Sequence, residues 1–226
     1  MKFRLFLITA ILAVIFMSCD NLPIADNKVN DEIDSVSYAL GVAIGTNLQE
    51  QFDEIDPDIM AQALEDIYNG EEKYFTADEA NLYLQSYAGK QMQRKGDENI
   101  LKGKEFLESN STEEGVITTE SGLQYKILEE GVGESPIETD KVKVHYRGTL
   151  IDGTEFDSSY KRGQPATFAA NRVIPGWTEA LTMMKQGSKW MLYIPSELGY
   201  GERGAGQMIG SNEVLIFEVE LLEIVK

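Results

Sequence analysis

Tyr146, Phe156 and Asp157 put a phenol, an apolar ring and a carboxylate within one short stretch, VHYRGTLIDGTEFDSS from Val144 to Ser159. Val142, Val144 and Tyr146 alternate with Lys143, His145 and Arg147, the period of a half-buried strand. Asp152-Gly153 tolerates positive φ, so a two-residue hairpin turn is expected there, with the returning arm bringing Phe156 and Asp157 back beside Tyr146. Taken alone, this trio fits either a proton-transfer centre or one wall of an apolar pocket. Other chemistries lack their parts. The chain has one histidine, His145, and one cysteine, Cys19, with no CxxC and no GxxxxGK[ST] sequence. Zinc, dithiol and phosphate-loop sites therefore have no ligand set, and neither a metal nor a cofactor is expected. His145 falls on the opposite strand face from Tyr146, and a lone strand histidine without a GxSxG serine is a poor base for a hydrolase.

What remains is a group of large apolar side chains beside loops: Val173, Ile174 and Trp177 at the start of a helix, Tyr200 and Ile209 in the glycine-rich GYGERGAGQMIG segment, and Phe217 in the last strand. Trp177 and Phe217 also suit the core. Val173-Ile174, Tyr200 and Ile209 fit the rim and floor of an apolar pocket holding few polar groups.

The elements that must position these residues differ along the chain. Lys2 and Arg4 precede an apolar run from Leu5 to Met17, interrupted only by Thr9, and then Ser18-Cys19, the pattern of an export signal over residues 1–18. A lone cysteine at the cleavage boundary resembles the bacterial lipobox, which implies acylation of Cys19 and a tie to a bacterial envelope membrane through acyl chains. Residues 19–33 read as a tether. The net charge of −18 argues against a nucleic-acid partner, which asks for a basic footprint.

From residue 34 the pattern is helical. Asp34 is expected to cap a first helix in which Tyr38, Val42 and Gly45 form one stripe and Leu40, Ile44 and Leu48 another. Gly41 and Gly45 leave a shallow spot that suits close packing within the domain or a seam with a second copy. Asp56-Pro57 opens a second helix that closes at Asn69-Gly70. Thr76 and Glu79 have capping-box spacing for a third, running to about Glu108 over about 50 Å. Its stretch from Gln91 to Asn99 is polar nearly all round, and Gly89, Gly96 and Gly103 recur every seven residues, as in a solvated connecting helix that bends at a glycine. A polar segment at 109–122 marks a boundary. Thereafter the period is two, with strands near 123–127, at the hairpin, at 166–169, 189–194 and 214–224, and one short helix from Pro175 to Met184. The fold class expected is α+β: an all-α region at 34–110 and, at 111–226, an antiparallel sheet wrapped on one short helix.

VHYRGTLIDGTEFDSS, VIPGWTEAL (173–181), GYG (199–201) and VLIFEVELLEI (214–224) resemble, in order and spacing, the FKBP family of peptidyl-prolyl cis/trans isomerases. Residues 34–110 are similar to the helical domain of its two-domain bacterial branch, the Mip and FkpA type, whose members dimerise through that domain. The resemblance implies an isomerase of X-Pro bonds acting on proline-containing polypeptides in exported proteins, a homodimer through residues 34–110, and inhibition by FK506-like macrolides. It implies a catalytic set of Tyr146, Phe156, Asp157 and Tyr200. Val173, Ile174, Trp177, Ile209, Phe217 and Arg162 would hold the substrate. Trp177 would floor the proline ring, the Ile174 N–H and Tyr200 phenol would donate to substrate carbonyls, and Arg162 would pair with Asp157. The chain departs from the small single-domain members at Ala166, where they carry an aromatic, and at the loop tip around Ala205 and Met208, which lacks their histidine and prolines; both bear on substrate preference and macrolide affinity. The competing function is a non-catalytic chaperone that uses the same fold to hold unfolded segments.

Overall fold

The computed structural model describes residues 28–52 and 54–225, so the expected export signal, Cys19 and most of the expected tether lie outside the described residues. The described chain divides into two compact units, one ending at Tyr74 and the other beginning at Phe75.

The first unit holds α1 (Glu32–Gln51) and α2 (Pro57–Tyr68). Asp31, not Asp34, caps α1: its extended backbone lets its carboxylate accept the Asp34 N–H at 2.8 Å, so the helix starts a turn earlier than the apolar stripes suggest. Asp56 caps α2 by accepting from Asp58 and Ile59 N–H groups, with Pro57 in the first turn. Beyond α2, Lys73 reaches back to the buried Asp66 at 2.6 Å and pins the chain after the helix. The apolar stripes of α1 stay open: Tyr38, Leu40 and Val42 are more than half exposed, and no described atom outside α1 itself lies within 4 Å of a Cβ placed at Gly41 or Gly45. The two glycines are therefore not sites of close packing within this unit.

The second unit opens with α3 (Ala77–Asn110), whose Thr76–Glu79 capping box is complete. The helix is continuous through all three of its glycines. Its polar stretch is not simply solvated. Gly96 and Gly103, both buried, face residues 211–214, where an added Cβ would meet Ser211 Oγ at 2.7 Å and Val214 Cγ2 at 2.8 Å. Between them Asn99 donates to the Ser211 carbonyl (2.9 Å) and to Glu213 Oε1 (3.0 Å). Buried Asn110 donates to Gln124 Oε1 at 2.7 Å, and Phe106 tilts against Tyr193. Two of the three repeated glycines, Gly96 and Gly103, thus form a packing seam, while nothing described outside α3 itself lies within 4 Å of a Cβ at Gly89; a sequence period cannot distinguish the two cases.

The sheet contains β1 (Val116–Thr118), β2 (Gln124–Glu129), β3 (Lys141–Thr149), β4 (Glu155–Ser158), β5 (Ala166–Ala169), β6 (Lys189–Ile194) and β7 (Leu215–Val225) in the order β1-β2-β6-β7-β3-β4, with β5 also on β3. All pairings are antiparallel. β1 is only three residues long and carries no periodic signal in the sequence. Alternate residues of β3 and β7 (Val142, Val144 and Tyr146; Leu215, Phe217, Val219 and Leu221) point inward and pack on α4 (Pro175–Met183) through Trp177, Ala180 and Leu181. Gly176 permits that close approach, since a Cβ there would lie 2.6 Å from Ile194.

Candidate active site

The hairpin turn is longer by one residue than its Asp-Gly pair suggests. Gly153 N–H closes the turn onto Leu150 O and Leu150 N–H pairs with Thr154 O, leaving Ile151, Asp152 and Gly153 as the loop, with Gly153 at φ 87°. A three-residue loop ending in a left-handed glycine is the next commonest hairpin solution. The consequence for the site comes from the strand beyond it. Gly148 pairs with Asp157 while Thr149 pairs with Glu155, so Phe156 is the extra residue of a β-bulge. In a regular strand two neighbours point to opposite faces; the bulge re-aims them, and Phe156 and Asp157 both face the same cavity. Gly148 leaves the room this needs, because a Cβ there would meet the rings of Phe156 at 2.6 Å and Phe217 at 2.7 Å.

That cavity has a volume of about 490 Å³, within the range of small-molecule pockets. Trp177 forms its floor and is almost wholly buried. Tyr146, Phe217 and Phe168 stand edge-on to it at 5.2, 5.2 and 5.8 Å between centroids, and Phe156 is edge-on to Phe217 at 5.4 Å. Such perpendicular contacts are the favoured geometry between aromatic quadrupoles and hold the rings in place. The buried Trp177 indole nitrogen has no hydrogen-bond partner among the described residues.

One polar group is built into the wall. Tyr146 donates its hydroxyl proton to Asp157 Oδ2 at 2.5 Å, Arg162 Nη2 donates to the Tyr146 oxygen at 2.7 Å, and Arg162 Nη1 pairs with Asp157 Oδ1. Burial, and then the Asp157 carboxylate, push the Tyr146 phenol above its usual value against the opposing pull of Arg162. Burial alone would raise the Asp157 carboxyl, but the hydrogen bonds from Tyr146 and Arg162 and the Arg162 charge together hold it below the usual carboxylate range. Near neutral pH the trio is therefore phenol, carboxylate and guanidinium, with no member poised to exchange a proton. His145 lies outside the cavity, stacked on Tyr160 at 4.7 Å with Nδ1 on Ser159 Oγ.

The two donors that the resemblance assigns to substrate carbonyls are free of partners among the described residues. The Ile174 N–H makes no hydrogen bond to a described residue, whereas its carbonyl accepts from Trp177 and Thr178 to start α4. The hydroxyl of Tyr200, at the partly exposed rim, likewise has no partner there.

Of the sequence-derived residues, Tyr146, Phe156, Asp157, Val173, Ile174, Trp177, Tyr200, Ile209 and Phe217 line this one cavity, and Arg162 stands behind it on Asp157. Ala205 and Met208, the loop tip at which the chain departs from the small family members, line it as well, and so do Phe168, Arg172, Gly206 and Gln207, for which the sequence reading has no place. Phe168 sits two residues beyond Ala166 on the same face of β5, so this wall does carry an aromatic. Period-two spacing from Ala166 contains that signal. Nothing in the sequence aims Arg172 or Gln207.

Residues 132–222 match the family model described as FKBP-type peptidyl-prolyl cis-trans isomerase, and residues 33–127 match the domain amino terminal to it. The chain is 38% identical to the outer membrane protein MIP of Legionella longbeachae over 97% of each chain. It is 44% identical to the peptidyl-prolyl cis-trans isomerase Mip of Coxiella burnetii over 89% of this chain and 91% of that one. The crystal structure of FkpA from Escherichia coli superposes with a TM-score of 0.70 at 36% identity, covering 87% of this chain and 98% of that one.

Proposed function

The chain belongs to the FKBP-type peptidyl-prolyl cis-trans isomerases of the two-domain Mip and FkpA type, and from that premise we propose that the aromatic cavity on Trp177 is where it turns X-Pro bonds. The observation that carries this assignment is a cavity walled by four aromatic rings with a donor at either side and no titrating base.

Rotation about a peptide bond is opposed by C–N resonance with a barrier of about 18–20 kcal/mol. No bond is made or broken, so neither nucleophile nor acid–base pair is needed. The twisted amide has lost resonance, and its carbonyl is less polar than in the planar ground state. A water-poor aromatic cavity disfavours the planar amide more than the twisted one, which is the differential binding that lowers a barrier. Each 1.36 kcal/mol of that difference is worth about tenfold in rate. The proline ring rests on Trp177, Phe156 and Phe217 exclude water beside it, and the Ile174 N–H and Tyr200 hydroxyl hold the flanking carbonyls. Asp157, tied to Tyr146 and Arg162, orients the wall. An FK506-like macrolide would occupy the same surface and inhibit. Phe156→Ala and Tyr200→Ala are expected to lower kcat/KM for X-Pro peptides, by about 10–100-fold for the first; unchanged turnover in both contradicts the assignment.

The biological setting belongs to the same proposal. The exposed apolar stripes of α1 and α2, with Gly41 and Gly45 open between them, support a homodimer formed within residues 34–110, the isomerase region being 111–226. The signal over residues 1–18 and Cys19 support export and acyl anchoring in a bacterial envelope, in keeping with a relative named as an outer membrane protein. The protein would then act as a folding factor on exported polypeptides. The same exposed stripes favour a second activity, the holding of unfolded segments without turnover; it predicts aggregation suppression that survives Phe156→Ala.

A further inference from the structure

Of the residues lining the cavity, only Asp157 and Arg172 carry a formal charge. They are not equivalent. Asp157 is neutralised by Arg162 and Tyr146. Arg172 forms no ion pair and no side-chain hydrogen bond with a described residue. Its backbone, by contrast, is pinned. Arg172 N–H donates to the Ala169 carbonyl at 2.9 Å, Ala170 N–H donates to the Asp140 carbonyl at 2.9 Å, and the Ala170 carbonyl accepts from Thr178 Oγ1 at 2.7 Å. An uncompensated guanidinium is thus mounted on a fixed turn directly before Val173 and Ile174, in a protein whose net charge is −18.

We propose that Arg172 is a specificity-determining residue of the isomerase, favouring X-Pro segments with Asp or Glu within two residues of the proline and disfavouring Lys or Arg there. The inference rests on the cavity being the isomerase pocket. With the proline ring on Trp177, an extended substrate advances about 3.3 Å per residue, so a side chain one or two positions away lies within reach of the guanidinium. Its forked donors match a carboxylate, and the same fixed charge repels an ammonium. Because the site is solvent-exposed, each contact is weak, but attraction and repulsion act together in the ratio between the two substrates.

The test measures isomerisation by NMR exchange with the full chain, on peptides differing only in having Glu, Ala or Lys at the residue before the proline and at the two after it. At about 20 mM salt the expected preference for Glu over Lys in kcat/KM, at the most responsive position, is about 3–10-fold, shrinking toward one near 1 M, where the Debye length is about 3 Å. Arg172→Gln removes the preference and Arg172→Glu inverts it. A Glu-to-Lys ratio that is the same in wild type and Arg172→Glu overturns the inference and leaves the pocket standing. Failure of the wild type to turn over the alanine peptide overturns the pocket assignment instead, and the inference with it.

Discussion

At the scale of single residues, Asp157 is the group whose role changes most with its surroundings. A carboxylate beside a phenol suggests proton transfer until both oxygens are seen to be occupied, one by Tyr146 and one by Arg162. Its folded value lies below its unfolded one, so its contribution to stability is complete above about pH 4 and fades only as pH falls through the lower folded value. Thermal unfolding followed from pH 7 to pH 3 should show wild type losing more of its Tm than Asp157→Asn across the acid limb. Asp157→Ala takes the carboxylate from both Tyr146 and Arg162, leaving only their bond to each other, and is expected to lower kcat/KM by about 3–30-fold. Arg162→Ala leaves the Tyr146–Asp157 bond and, as half of an exposed pair, should cost no more than about threefold. Steady-state kinetics on one X-Pro peptide separates the two.

At the scale of elements, the bulge in β4 and the seam on α3 do the positioning, and neither follows from a periodic pattern. The strands were legible because Tyr146, Val144 and Val142 alternate cleanly, as do the inward residues of β7; burial on one face leaves that mark in any sequence. A bulge leaves none: that Phe156 and Asp157 both face the cavity depends on one unpaired residue, and on Gly148 opposite yielding space. The helix α3 shows the same limit. Its polar stretch and repeated glycines read as solvated and bendable, whereas Gly96, Asn99 and Gly103 form a docking edge for residues 211–214, just beyond pocket residue Ile209. Asn99→Ala removes two hydrogen bonds and should destabilise this unit by about 1–2 kcal/mol. Gly103→Leu forces a side chain into Val214 and should cost more, about 1–3 kcal/mol or beyond. Denaturant unfolding checks both, with wild-type stability in Gly103→Leu being the contrary result.

At the scale of the whole molecule, the proposed catalytic surface and the proposed assembly surface belong to different compact units. Every residue lining the pocket lies between Tyr146 and Phe217, while the open apolar stripes lie on α1 and α2. Disrupting one should therefore spare the other. The double substitution Leu40→Glu and Ile44→Glu is expected to convert a dimer to a monomer in sedimentation velocity with turnover of short peptides retained. A wild-type monomer contradicts the dimer. Because α3 docks on the sheet through Asn110, Phe106 and Gly103, a fragment beginning at residue 111 should be markedly less stable than one beginning at residue 75.

The central claim is that this pocket accelerates rotation by excluding water and moving no proton. It is tested most directly by measuring kcat/KM for one X-Pro peptide in H2O and D2O across the range from about pH 5 to pH 9, where neither Asp157 nor Tyr146 changes charge. The account predicts a flat profile and a solvent isotope ratio of about one. A bell-shaped profile, or a ratio of about two or more, would contradict it and return Tyr146 and Asp157 to proton transfer.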